Sequence, residues 1–292
     1  MNKRKRRFGD RYDGRRIRSL SPMSYVAPFV MRTRNDAHLF FKSRVDVTKT
    51  EEYIRDVRRR GLQGFGFMHL FIAAYVRVVS QRPAINRFIA GQRIYQRETI
   101  VLSMMIKKEM KLNGQETGIK PVFEPTDTVQ EVYEKVQNAV EAAKNEGDST
   151  ALDSAARILV RLPALLLRLF ISFATCLDYF GILPKAIHNA SPFHASAFLT
   201  NLGSLGVPPV SHHLYNFGNV SAFLAFGAKY AETTLDRDGT PQRKKYIDYT
   251  ITLDERITDG HYLASALKYL ERLLKNPYEL DFPPEHVEED VL

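Results

Sequence analysis

The stretch Tyr246-Ile247-Asp248-Tyr249-Thr250-Ile251-Thr252-Leu253-Asp254-Glu255-Arg256-Ile257-Thr258-Asp259-Gly260 decides the fold. Its first eight residues set apolar side chains at every second position, the period of a strand with one buried face. Past Gly260 the spacing becomes helical: Leu263, Leu267, Leu270 and Leu274 share one face of a helix over 261–274, and Pro277 stops it. A strand thus runs through a short polar turn directly into a helix. Upstream, 195–201 and 222–226 read as two further strands. The first leads into Thr200-Asn201-Leu202-Gly203-Ser204-Leu205-Gly206, where asparagine and glycines signal a turn.

Working outward, residues 39–47 form a strand, and Thr48 or Thr50 caps a helix that reaches Arg60 and stops at Gly61. A helix over 67–80 carries Phe67, Leu70, Phe71, Ala74 and Val78 at helical spacing and ends before Pro83. Strands follow at 92–95 and 100–107, then a turn-rich segment around Asn113-Gly114. An amphipathic helix over 126–145 starts from a capping signal at Thr126 or Asp127 and ends by Gly147. Strands and helices alternate with no repeat and no Pro/Ala/Gly-rich linker. The expected organisation is one α/β domain over 21–292 behind a flexible basic arm over 1–20.

That arm holds nine Lys or Arg against two Asp, and its plainer alternative is a solvated tail. The 292 residues carry a net charge of +9, which suits an anionic lipid or a polyanionic cofactor. Nucleic acid is disfavoured, because no recognition motif or aromatic interleaving accompanies the charge. The single cysteine, Cys176, lies in an apolar run, so no disulfide framework is expected and a reducing, cytoplasmic setting follows. No apolar stretch follows the basic start, which argues against a secretory signal. Within 150–190, the run over 155–183 is apolar but punctuated by Arg161, Arg168 and Asp178. It is short for a membrane span. Burial in the protein, a membrane interface and a partner surface all remain open for it, with breaks near Pro163 and Gly181.

Two segments resemble the catalytic domain of the 2-oxoacid dehydrogenase dihydrolipoyl acyltransferases, a family similar to the chloramphenicol acetyltransferases. One is Asp254-Glu255-Arg256-Ile257-Thr258-Asp259-Gly260, where that family carries Asp-His-Arg-x-x-Asp-Gly before a helix. The other is the Phe198–Gly206 stretch, where the family shows Phe-Thr-Ile-Ser-Asn-Leu-Gly. The resemblance implies a two-layer chloramphenicol-acetyltransferase-like sandwich of mixed sheet and helices. It also implies a homotrimer or a higher assembly of trimers, with active sites between subunits. CoA or acyl-CoA would be a substrate. No covalent lipoyl group is expected on this chain. The 150–190 segment would be an apolar helical insertion on that core.

The same resemblance assigns roles. Glu255 stands where the family's histidine deprotonates a thiol or hydroxyl. Thr200 stands where a Ser or Thr stabilises the oxyanion from the neighbouring subunit. Asp259 would orient the loop through an ion pair, and Arg256 and Asp254 also match. The departure at Glu255 matters because a free carboxyl has a pKa of about 4.3 against about 8.5 for a thiol, so it is a poor base unless burial raises it. Its plainer alternative is an ion pair with Arg256 or another arginine. His213, in the His212-His213 pair between the turn and the next strand, is a substitute base or a hydrogen-bonded interface residue. His261 is expected to project elsewhere, and His38, His69 and His194 to be packing or loop residues. Two functions follow. One is a CoA-dependent acyltransferase acting on a thiol or hydroxyl acceptor with impaired or altered catalysis. The alternative is a non-catalytic trimeric or cage scaffold that docks a partner or, through the arm and the apolar helix, an anionic membrane surface.

Overall fold

The computed structural model describes residues 5–107, 116–145, 159–236 and 238–291. In chain order its strands are β1 (Gly14–Arg16), β2 (His38–Asp46), β3 (Arg87–Ala90), β4 (Arg93–Arg97), β5 (Ile100–Lys107), β6 (Glu116–Ile119), β7 (Val122–Phe123), β8 (Ala197–Asn201), β9 (Ala222–Leu235) and β10 (Pro241–Asp254). The helices are α1 (Pro22–Val30), α2 (Thr48–Arg59), α3 (Phe67–Gln81), α4 (Val129–Asn145), α5 (Ala164–Tyr179), α6 (Lys185–Ala190) and α7 (Gly260–Lys275).

The main sheet runs β2-β10-β9-β8-β5-β6, with β7 also paired to β5. It is mixed: β8 is parallel to both β9 and β5, and the other pairs are antiparallel. Alternation sorts its two faces. Leu199, Leu224, Phe226, Ile247, Tyr249, Ile251 and Leu253 point into the main core with the apolar sides of α3 and α7. Helix α3 is buried from His69 to Ser80, so it reads as apolar on nearly every side. The opposite face carries Phe198, Phe223, Thr250 and Thr252 and is covered by the loop over 207–220 instead of helices. The Thr250 hydroxyl donates to the Val210 carbonyl (2.7 Å) and the Thr252 hydroxyl to that of His212 (2.5 Å).

Several local expectations are corrected. Neither Thr48 nor Thr50 caps α2: Asp46 accepts the Thr48 N–H (2.9 Å), and the buried Thr50 hydroxyl donates to Leu274 O (2.6 Å). The cap of α4 is Thr128, which exchanges hydrogen bonds with Glu131, while Asp127 pairs with Lys135. The Asn113-Gly114 turn, Gly147 and the start of the apolar run lie outside the described residues.

The basic start is tied down beyond its first residues. Strand β1 pairs with β4, and Ile17 is buried. Arg11 is buried between Asp13 (2.9 Å) and Asp178 (2.6 Å), and His188 lies 3.0 Å from Asp13. A long arginine satisfied by two carboxylates can be buried where a bare charge cannot. A freely mobile arm is therefore not what residues 11–17 form. Burial inside the chain is also not the fate of the apolar run: α5 begins after Pro163, ends before Gly181, and buries only Ala174 and Asp178.

Candidate active site

The turn after β8 is built by its own polar groups. Asn201 Oδ1 accepts the Ser204 N–H (3.3 Å), and Ser204 Oγ donates to Asn201 O (3.1 Å). The Leu202 N–H donates to Phe226 O (2.9 Å), which ties the turn to β9. Glycine is required here by proximity: a Cβ on Gly203 would lie 2.7 Å from Gly227 O, and one on Gly227 would lie 2.5 Å from Pro209 Cδ. Thr200 is half-buried and, by alternation from Phe198, faces the helix-free side.

Beside this turn, between it and the N-terminal end of α3, opens a cleft of about 630 Å³. Asn201, Gly203, Ser204 and Gly227 form one wall, and Arg55, Arg58, Lys229 and Lys245 bring positive charge to the others. Glu51 is the one carboxylate among its lining residues and is bonded to both lysines. Burial raises the Glu51 carboxyl, but the two ammonium groups outweigh it and hold it below the usual range. His69 lines the same cleft, its Nδ1 accepting the Gly66 N–H (3.2 Å); burial, with the Arg58 charge, pushes it down to about 4. The cleft is not legible in the sequence, because its cations come from α2, β9 and β10 and converge only in the fold.

The second motif follows β10. Asp254 is fully buried and grips Arg256 twice (2.7 and 2.6 Å), also accepting the Arg256 N–H (3.2 Å). Arg256 further donates to Met31 O (2.7 Å), which anchors the end of α1. The alternative of an ion pair between Glu255 and Arg256 is not what forms: Arg256 pairs with Asp254. Glu255 starts the turn over Glu255–Ile257, is exposed, and has no hydrogen-bond or ion-pair partner among the described residues. Asp259 makes no ion pair there; its carboxylate caps α7 by accepting the Tyr262 N–H (2.8 Å). Gly260 is the first residue of α7 and needs no left-handed backbone. His261 is exposed in the first turn of α7.

His213 is exposed in the loop over 207–220, edge-on to Tyr215 with ring centres 4.9 Å apart. His212 stacks on Phe223 (4.1 Å), and burial lowers its imidazole. His38, opposite Asp254 in the register, accepts the Leu214 N–H at Nε2 (2.9 Å). Arg34 fastens the same loop to Tyr215 O and Asn216 O (3.4 and 3.1 Å), and burial holds it down at about 10. No trio of His, Cys, Asp or Glu among the described residues is placed to hold a metal.

One chain does not bring Thr200 and Glu255 together. The register places Thr200 beside Ala225 and Ala225 beside Thr250, five residues before Glu255. Five strand residues span about 16 Å along the sheet, on top of the lateral offset.

Residues 190–281, about a third of the chain, match the family described as 2-oxoacid dehydrogenases acyltransferase (catalytic domain). No curated protein matches by sequence. Among solved structures, a probable dihydrolipoamide acetyltransferase from Listeria monocytogenes is similar at 14% identity, with 88% of this chain and 94% of that one covered and a TM-score of 0.56. A chloramphenicol acetyltransferase is similar at 17% identity, covering 86% and 94%, with a TM-score of 0.51. The truncated catalytic core of a 2-oxoacid dehydrogenase multienzyme complex from Thermoplasma acidophilum is similar at 14% identity, covering 89% and 98%, with a TM-score of 0.52. The matched segment contains both the Thr200 turn and the Asp254–Gly260 turn. Over that segment the sequence is similar to this catalytic domain, and the fold as a whole is similar to those of a dihydrolipoamide acetyltransferase and a chloramphenicol acetyltransferase.

Proposed function

We propose that the chain assembles head to tail, as a trimer, so that Glu255 of one copy meets Thr200 of the next, and that this joint site handles acyl-CoA thioesters. The observation that carries this reading is the split site. The two family-like turns are both intact, yet one closes β8 and the other follows β10, two strands away and five residues further along the register. Cyclic association is the economical way to join them. The helix-free sheet face supports it, since Phe40 there is 54% exposed and Val207 and Val210 of the loop are also exposed.

CoA is favoured by charge. The cleft beside the turn after β8 offers four cationic side chains against one carboxylate, a complement for a pyrophosphate and a third phosphate. In the transfer, the acceptor S–H or O–H gives its proton to a base and attacks the thioester carbonyl. Thr200 Oγ donates to the resulting oxyanion, and collapse expels the CoA thiolate, which takes up the proton. Glu255 stands in the base position and is a weak one while exposed. Acyl-CoA therefore binds better than it reacts.

A second reading rests on the same residue. Glutamate in place of histidine suits a non-catalytic scaffold that keeps the channel. The test is calorimetric binding of acetyl-CoA with oligomer mass measured in parallel. A trimer that binds acetyl-CoA supports the joint site. A trimer that binds no CoA ester at high concentration favours the scaffold, and a strict monomer overturns both.

A further inference from the structure

Helix α5 leaves one apolar side outward. At helical spacing Leu167, Ala174 and Asp178 face the body, whereas Leu165, Leu166, Leu169, Phe173 and Cys176 form the outer stripe. Leu165 is 69% exposed, Leu169 57% and Phe173 63%, and Phe180 and Ile182 extend the surface past the helix end. Exposed apolar area of this continuity marks a contact site.

The charges around the stripe identify what it contacts. Across 159–187 the only acidic residue is Asp178, which is buried against Arg11 and lies 3.4 Å from His194. The other charges are Arg161, Arg168 and Lys185, all exposed. The basic start of the chain abuts the far end of the helix: Gly9, Asp10 and Arg11 line a small cavity with Arg93, Tyr179 and Phe180. Exposed Arg7 and Phe8 lie just before it in the chain. A two-fold contact with a second copy would press this cationic rim against itself, which disfavours that occupant. An anionic lipid surface complements both the stripe and its rim.

We infer that α5 and the exposed basic residues Lys5, Arg6 and Arg7 form an interfacial docking site for anionic bilayers, with α5 lying in the plane of the headgroups. Its 16 residues span about 24 Å, short of a bilayer's hydrocarbon core. No helix among the described residues is long and apolar enough to cross a membrane. Apolar burial and basic attraction reinforce each other in such sites. The inference is independent of the acyl-transfer reading.

Flotation of the full chain with phosphatidylcholine vesicles, with and without roughly 30% phosphatidylglycerol, tests it. The chain is expected to float with the anionic vesicles and not the neutral ones, and to be released by salt. The double variant Leu169→Glu/Phe173→Glu should lose about tenfold or more in bound fraction, and Arg7→Glu/Arg168→Glu severalfold, with circular dichroism and oligomer mass unchanged. An environment-sensitive dye on Cys176, the only cysteine, should shift to the blue on anionic vesicles. The inference is overturned by absence of flotation at low salt, by binding indifferent to Leu169 and Phe173, or by an unshifted dye. It is equally overturned if the double variant changes the oligomer mass, since the stripe would then be a subunit contact.

Discussion

Arg256 and Glu255 are neighbours in the chain and do opposite things. Arg256 lies buried against Asp254 and fixes the turn, whereas Glu255 is exposed and has no partner among the described residues. Removing the guanidinium by Arg256→Ala leaves a fully buried carboxylate uncompensated, and we expect a loss of about 3–5 kcal/mol in urea unfolding. Asp259→Ala removes only a helix cap and should cost about 1 kcal/mol, largely restored by Asp259→Asn. Titration offers another check at this scale. His69 and His194 are both buried and held down at about 4, against an ordinary value of 6.5. The unfolded chain therefore binds more protons between pH 6.5 and about 4, so stability falls as pH drops through that window. His69 alone accounts for up to about 3 kcal/mol of that fall. Thermal unfolding from neutral pH down to about 4 should show a falling Tm, with a shallower slope in His69→Asn.

At the scale of elements, strand β10, its turn and helix α7 were legible because a period of two passes into helical leucine spacing at a polar turn. Legibility failed where contacts between distant segments set the outcome. The outer halves of β9 and β10 are polar and pair only with each other as far as Leu235 and Pro241, so no apolar alternation announces them. The short α1 carries an internal proline, Pro28, and is held at its end by Arg256. Helix α2 starts after Val47 with no side-chain cap at that position, and the Thr48 N–H is taken by Asp46 of the preceding strand, which no local capping signal announces. The cationic cleft was hidden for the same reason. Its geometry depends on Gly227, where a side chain would collide with Pro209. Gly227→Ala should displace the 207–210 loop, cost about 1–3 kcal/mol and weaken acetyl-CoA binding severalfold by calorimetry.

Across the whole molecule, the proposed joint site would use the apolar helix-free face for its neighbours, while α5 presents a second apolar surface with a cationic rim. The two surfaces use different residues, so they should be separable: substitutions on α5 leave oligomer mass untouched, and charge reversal of Lys229 weakens acetyl-CoA binding without affecting vesicle flotation. Motif similarity made the paired turns legible in the sequence. Their separation within one chain was not, because it follows from strand register. The central claim is that a complete acyl-transfer frame lacks only its usual base. It is tested most directly by the rate of acetyl-CoA-dependent transfer to a small thiol in Glu255→His relative to wild type. We predict a rise on the order of 10²-fold or more with little change in acetyl-CoA affinity. Rapid turnover by wild type that Glu255→Ala abolishes and Glu255→His fails to raise would contradict the account.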